Sequence, residues 1–310
     1  METYVGYYNN PMREKCSSGG VFYILAKQIL DVGGAVYGVA MSSDKYNAEY
    51  VRIVDKHELE KLCGSKYMQA DICNAFKEVQ RDLSEGLYVL FSGTICQVNG
   101  LKSFLGKEYT NLFCVDVICH GVPSQKLWKK YLVNREQEIG KCETLSFRSK
   151  DKGWYEYGIK ENDIYTPQTD NSYMIFFIKN YCLRPSCYKC IAKRKKASDI
   201  TIGDFWGIEK KPLEINDNRG LSVIILRTEK GKQFFSLIRE NMILKELSFE
   251  EGIIDNPAEN KSAIQPWQRK DFYKKMNSMS YDTLVQYYFG HAFHRKILRK
   301  IAYFRYWMHS

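Results

Sequence analysis

Two segments of the same design constrain this chain most: LYVLFSGTICQVNGLKSFLG, residues 87–106, and NLFCVDVICHGVPSQKLWKKYL, residues 111–132. Each reads as a continuous apolar strand, a tight small-residue turn and a helix, the pattern of a βαβ unit with parallel strands. Cys96 and Cys119 both fall just past the end of their strand. If the strands are parallel neighbours, the two thiols share one edge of the sheet, the edge at which open α/β sheets bind ligands.

The flanking sequence extends this α/β reading. CSSGGVFYILAKQILDVGG is a Ser/Gly turn opening an amphipathic helix, with Val21, Leu25, Ile29 and Leu30 near one face and Gly33-Gly34 as its stop. AVYGVAM and YVRIV read as strands, DKHELEKL as a helix start with Asp55 and Glu58 at capping-box spacing, and ICNAFKEVQRDLSEG as a helix. Thr144 to Lys160 gives less regular strands around a Lys-Gly-Trp turn, and SYMIFFIKNYC a short helix delivering Arg184 to Cys190. SDITIGDFW and LSVIILRT are strands, EKGKQFFSLIRENM is a helix, and from about Phe249 the pattern weakens into a tail, packed on the body or partly free. The expected architecture is a mixed sheet with βα units, ligands at the C-terminal strand edge and a helical C-terminal tail.

The longest apolar runs, AVYGVAM and YMIFFI, fall far short of the roughly 20 residues that a bilayer span requires. METYVGYYNN lacks the pattern of a secretory signal, so the expected compartment is the cytoplasm. A formal charge of +10 favours anionic partners: nucleic acid, cofactor phosphates or a membrane surface. Ten cysteines in a reducing compartment point to metal binding or redox chemistry rather than structural disulfides, with roughly half of them packing residues. In the tail, Ile297, Ile301, Phe304 and Met308 share one helical face and Arg295, Lys296, Arg299 and Lys300 the other. This suits a peripheral helix on anionic lipid at the inner membrane face, and equally a helix docked on its own domain. His291 and His294 could chelate a metal, although a pair so close to a terminus more often does nothing.

The CxxC of Cys187 and Cys190 cannot complete a tetrahedral site alone, so other cysteines must come back to meet it. Cys96 and Cys119 are the candidates from the sheet edge, with Cys182 a competitor; four thiolates suit either Zn²⁺ or an iron–sulfur cluster, and a redox dithiol or chance pair stays open. Ser17, Ser18, Gly19 and Gly20 at a helix N-terminus could hold a phosphate or be a plain cap. The turn Ser92-Gly93-Thr94 repeats the device, and Gly64-Ser65-Lys66-Tyr67 adds a cation and an aromatic ring. GxGxxG after a strand, GxxxxGK[ST] and HExxH are all missing, so a dinucleotide would be bound in an uncommon way; without a CxxCxxCxxxC run one cluster is the maximum. Near the CxxC, Asp199, Gly203, Asp204 and Trp206 form a strand end at which Asp204 could orient a ligand or simply pair with Lys193 or Arg194. His120 could donate a proton or hydrogen-bond a cluster sulfur, or be an ordinary turn histidine.

The motifs CSSGGVF, CGSKYMQ, FSGTICQVNGL, VDVICHGVPS, LSFRSKDKGW and LRPSCYKC followed by SDITIGDFWG occur in the order seen in the family of coenzyme F420 hydrogenase/dehydrogenase beta subunits, which this chain resembles from about residue 13 to about residue 230. The resemblance implies an iron–sulfur flavoprotein that carries FAD and a [4Fe-4S] cluster. In that family electrons pass between a cluster relay and the flavin, which reduces an acceptor: F420 in methanogens, a chlorophyll intermediate in a plant relative. Other relatives occur among bacterial surface-polysaccharide biosynthesis proteins. The family's Gly-Thr-Pro-Cys-Gln maps onto Gly93 to Gln97, with Ile95 in place of proline, its Cys-His-Gly onto Cys119 to Gly121, and its Ser-Cys-x-x-Cys onto Ser186 to Cys190. The resemblance therefore assigns the cluster to Cys96, Cys119, Cys187 and Cys190, the FAD phosphates to Ser17 to Gly20, and the ring to the vicinity of Lys66, Tyr67, Thr94 and Asp204. Cys16 and Cys182 become packing residues. Residues 1–85 and 86–248 are expected to be the N- and C-terminal parts of the family unit, and 249–310 a basic helical tail. Many bacterial relatives carry an N-terminal ferredoxin domain that this chain begins without, which implies a separate donor such as a ferredoxin or hydrogenase/dehydrogenase subunit, a small-molecule acceptor and no nucleic acid. The competing readings are a zinc-stabilised module for nucleic acid or membrane, and a non-catalytic scaffold.

Overall fold

The paired strand–turn–helix segments form the middle of one large sheet. In the computed structural model residues 1–290 are described; the amphipathic segment with its basic face, His291 and His294 lies outside the described residues. In chain order the first third is β1 (Glu2–Tyr8), α1 (Val21–Asp31), β2 (Ala35–Met41), β3 (Ala48–Ile53), β4 (Ala70–Asp71) and α2 (Ala75–Ser84). The two units follow as β5 (Val89–Thr94) with α3 (Ile95–Leu105) and β6 (Leu112–Val117) with α4 (Gln125–Ile139). Next come β7 (Leu145–Ser149), β8 (Gly158–Glu161), β9 (Ile164–Pro167), α5 (Ser172–Ile178), β10 (Ile200–Asp204) and β11 (Ser222–Leu226). The chain continues as α6 (Glu229–Ser236), β12 (Met242–Leu247), α7 (Phe249–Gly252), α8 (Arg269–Ser278) and α9 (Tyr281–Phe289).

The order across the main sheet is β12-β1-β11-β10-β6-β5-β2-β3-β4, with β7-β8-β9 a separate antiparallel sheet. β5 and β6 are parallel neighbours in the register Thr94 to Val117, and β10 and β2 flank them, also parallel. Their unbroken apolar runs are explained by burial on both faces. Val89 and Phe91 enter the core under α2, α3 and α4, whereas Leu90 and Val115 enter the core under α1 and α6. Each such side chain contributes about 1.5–3 kcal/mol by leaving water.

Two expectations give way to tertiary context. DKHELEKL is a 3-10 helix, Lys56–Leu62, because the Asp55 carboxylate accepts from His57 N at 2.9 Å and Glu58 pairs with Lys61 instead of closing the box. The helix expected over residues 229–242 stops at Ser236, and Met242–Leu247 turns into a strand paired with β1, itself unmarked in the sequence. Of the two readings of the chain after Phe249, residues 249–290 follow the packed one: Phe272, Met276, Tyr281, Leu284 and Phe289 bury in the same core as α4 and α5.

Candidate functional site

At the carboxyl edge of the sheet the two units make different turns. α3 begins directly after β5, and the Gln97 carboxamide oxygen accepts from Thr94 N at 2.9 Å, Thr94 Oγ1 at 3.0 Å and Tyr50 OH at 3.1 Å. Gly93 is required here, because a Cβ would run into the Tyr50 hydroxyl. Ile95, which stands where the resemblance has proline, is buried and anchors the turn, leaving Cys96 exposed with its Sγ 3.1 Å from Thr94 Oγ1.

After β6, residues 118–124 form an extended loop that pairs with the segment carrying the CxxC. Arg184 N donates to Val122 O and Ser124 N to Cys182 O, each at 2.8 Å, around an antiparallel bridge of Pro123 with Leu183. α5 does deliver this segment. Cys187 Sγ accepts from Val122 N at 3.4 Å, Cys190 N donates to Ser262 Oγ at 2.9 Å, and Lys193 Nζ donates to Cys119 O at 2.8 Å. Burial pushes the Cys119 thiol up to about 12, with Lys193 acting against it and Cys187, Cys96 and Cys190 adding to it, so all three lie within electrostatic reach of Cys119. Even so, no three His, Cys, Asp or Glu side chains among the described residues converge on one metal position. Cys182 packs fully buried in the core, as the resemblance implied. His120 Nε2 donates to Asn180 Oδ1 at 2.6 Å, and burial lowers its pKa.

The facing wall is cationic. Gly20 caps α1 with φ of 79°, a left-handed conformation that suits glycine. The serine hydroxyls beside it are engaged within the protein: Ser17 Oγ accepts from Ser65 N at 2.7 Å, and Ser18 Oγ donates to Leu221 O at 2.7 Å. The free donors of this turn are therefore the first backbone N–H groups of α1. Gly19 lies beneath, its amide donating to Ser222 Oγ at 2.9 Å. Burial lowers the Lys66 ammonium to about 8 while its Nζ donates to Cys63 O at 2.7 Å.

Arg148, which the sequence offered only inside the LSFRSKDKGW motif, organises this wall. Its guanidinium holds the Asp204 carboxylate at 2.8 and 3.3 Å, reaches Tyr67 OH at 3.4 Å, and lies over the Tyr157 ring at 3.8 Å. Asp204 is thus neither free nor paired with Lys193 or Arg194. Trp154 stacks on Trp206 at 4.8 Å and donates to Ser17 O at 3.2 Å, joining the second sheet to the α1 turn. Asp199 does not belong to the site: at the start of β10 its carboxylate accepts from Cys114 N at 2.9 Å and Thr228 Oγ1 at 2.7 Å.

Both walls bound one cavity of about 2220 Å³, lined by Ser17, Ser18, Gly20, Ser65, Lys66 and Tyr67 on one side. Ser92, Gly93, Thr94, Cys96 and Cys119 line the sheet edge, with Gly203 and Asp204 beside them. That is more than twice the roughly 1,000 Å³ upper range of ordinary small-molecule pockets.

Models of the coenzyme F420 hydrogenase/dehydrogenase beta subunit match the chain at residues 3–77 (N-terminal) and 87–251 (C-terminal), the second alone covering more than half of it. The chain belongs to this family. A curated relative, a subunit of the F(420)H(2) dehydrogenase of Methanosarcina mazei, is 22% identical over 238 residues, 74% of this chain. The chain spans 60% of the length of that relative. A solved structure, the xenon-derivatised F420-reducing [NiFe] hydrogenase complex of Methanosarcina barkeri, has a chain that superposes with a TM-score of 0.56 at 16% identity, covering 92% of this chain and 91% of that one. This last likeness establishes the shared fold. Among the described residues no helix is long and apolar enough to cross a membrane.

Proposed function

We propose that this member of the family is an iron–sulfur flavoprotein oxidoreductase, with a [4Fe-4S] cluster on Cys96, Cys119, Cys187 and Cys190 and FAD in the adjoining cavity. One observation carries the reading: the thiol-bearing sheet edge and the cationic, glycine-containing wall bound the same cavity. Thiols are the donor set of such clusters, and Cys96, Cys187 and Cys190 are within electrostatic reach of Cys119 at the sheet edge. The cavity has room for a dinucleotide, the N–H groups at α1 suit its phosphates, and Lys66 supplies a charge beside them.

When bound, the two groups supply single-electron storage and coupling to two-electron chemistry at the flavin. The chain's own residues position and tune. Val122 N–H on the Cys187 sulfur and the Lys193 ammonium at the Cys119 carbonyl stabilise negative charge on the thiolates. Arg148 fixes Asp204 and Tyr67 so that a carboxylate and a phenol face the cavity in one orientation. The acceptor is an F420-type deazaflavin, which the names of the relatives support, or another small molecule; the electron donor is a partner protein, a hydrogenase or dehydrogenase component by the same names, or a ferredoxin. Anaerobic purification followed by flavin extraction and iron and sulfide assays tests the proposal. A brown-yellow protein with stoichiometric FAD and about four irons is expected; a colourless protein with one zinc and no flavin would sink it.

A further inference from the structure

Three consecutive residues before α1 each meet a partner from the stretch that ends at Ser65. Lys15 Nζ lies 2.8 Å from Glu60 Oε1, Cys16 Sγ 4.0 Å from Cys63 Sγ, and Ser17 Oγ 2.9 Å from Ser65 Oγ. The two sulfurs are therefore held in contact from both sides. Each cysteine directly follows a 3-10 helix, Pro11–Lys15 or Lys56–Leu62, in extended backbone. Arg13 pins the first of these helices: it is buried, paired with Asp217 at 2.7 Å, and stacked on Tyr7 at 3.6 Å. Both cysteines line the cavity, Cys63 half-buried and Cys16 deeper. The Cys63 S–H lowers the pKa of the Cys16 thiol, and Lys150 and Lys66 also favour its thiolate. Neither a packing role for Cys16 nor the proposed cluster accounts for this arrangement.

We propose that Cys16 and Cys63 are a redox-active dithiol on the cavity wall, closing reversibly to a disulfide by exchange with a low-molecular-weight disulfide that enters the cavity. One thiolate of the pair attacks a sulfur of the small disulfide, forming a mixed disulfide and releasing one small thiol. The second, losing its proton as it attacks, displaces the other small thiol and forms the Cys16–Cys63 bond. The protein pair gives up two electrons and two protons, and the small disulfide becomes two thiols. The sulfurs must approach by about 2 Å to reach the bonding distance of about 2.05 Å. The closed form fastens the α1 turn to the Gly64–Tyr67 segment, so the oxidation state of the pair sets how far two cofactor-facing segments can separate.

The test uses the full chain, equilibrated anaerobically in glutathione buffers of increasing oxidised fraction, acid-quenched, alkylated with N-ethylmaleimide and digested for peptide mass spectrometry. The expected result is a Cys16–Cys63 cross-linked peptide at least tenfold more abundant than any other cysteine pair, and lost on adding dithiothreitol. Cys16 and Cys63 alkylated as fully in the most oxidising buffer as in the reducing one would overturn the proposal. In C63S the exchange should stop halfway, leaving a glutathione adduct on Cys16, whose thiolate is the favoured one; an unmodified Cys16 there counts against the proposal. The readout is a peptide mass and needs neither cluster nor flavin, so its outcome is separate from that of the function proposed above.

Discussion

The two walls of the cavity are built by opposite means. The thiol wall is a sheet edge: Cys96 and Cys119 stand where two parallel strands end, and the CxxC arrives by backbone pairing of residues 182–184 with 122–124. The cationic wall is a set of long-range side-chain contacts among Arg148, Asp204, Tyr67 and Ser17, drawn from four separate parts of the chain. Backbone topology sets the first and buried electrostatics the second, so the two should fail differently when cut.

The largest effect is expected on the cationic wall. Arg148→Met removes a guanidinium whose side chain is 2% exposed and leaves Asp204 facing the cavity without its partner. Stability in urea should fall by about 3–5 kcal/mol, the cost of an uncompensated, largely buried charge. Iron content should stay near wild type if the walls are independent; parallel loss of iron would show that they are one unit.

This contrast also explains what the sequence could reveal. Strand periodicity and the turn residues after it are local, so Cys96 and Cys119 could be brought together from spacing alone, and the parallel register of β5 and β6 agrees. Arg148 lies 56 residues from Asp204 and 81 from Tyr67, and nothing local in LSFRSKDKGW says which carboxylate or phenol it will meet. The same limit hid β1, whose place between β11 and β12 depends on strands more than two hundred residues away. Asp199 shows a related limit: a carboxylate beside a strand can serve either end, and here it ties β10 to Cys114 N and Thr228 and does not line the cavity. Ser17 and Ser18 sit at the expected turn, yet their hydroxyls are consumed by Ser65 and Leu221, partners that no cap pattern announces.

The thiol wall should break at its backbone seam. Leu183, fully buried at the bridge to Pro123, holds the CxxC segment against the loop after β6. Leu183→Ala is expected to cost about 2–5 kcal/mol as a core truncation and to reduce iron retention, while flavin content changes little. Unchanged iron after this substitution would mean that the seam does not deliver the cysteines.

Within that wall the two turns differ in burial, and serine substitutions separate ligation from packing. Cys119→Ser puts a hydroxyl where burial already pushes a thiol up to about 12 and should cost the apo protein about 1–3 kcal/mol. Cys96→Ser, at an exposed position, should change apo stability by less than about 0.5 kcal/mol. Both should abolish iron binding, as measured by iron assay after anaerobic reconstitution, because the proposed cluster needs each ligand. Retention of a full complement of iron in either variant would remove that cysteine from the ligand set.

The smallest expected effect concerns charge on the cationic wall. Burial lowers the Lys66 pKa to about 8, so its ammonium is mostly present at pH 7 and mostly lost by pH 9.5. A phosphate-bearing ligand is attracted by the charged form, so its affinity should fall as pH rises through about 8. The appropriate probe is ADP on the apo protein, since its phosphates keep their charge from pH 7.5 to 9.5 and any change belongs to the protein. Loss of one charge-assisted contact predicts a weakening of about tenfold, read by calorimetry across that window. Lys66→Met should bind weakly throughout and show a flatter profile. A residual slope would come from Lys150, also lowered to about 8 by burial but donating to the carbonyls of Arg13, Ser18 and Arg219 behind the turn. If the slope in Lys66→Met matches that of the wild type, Lys66 does not meet the phosphates, and the charge that holds them belongs to the side of the turn bearing Lys150.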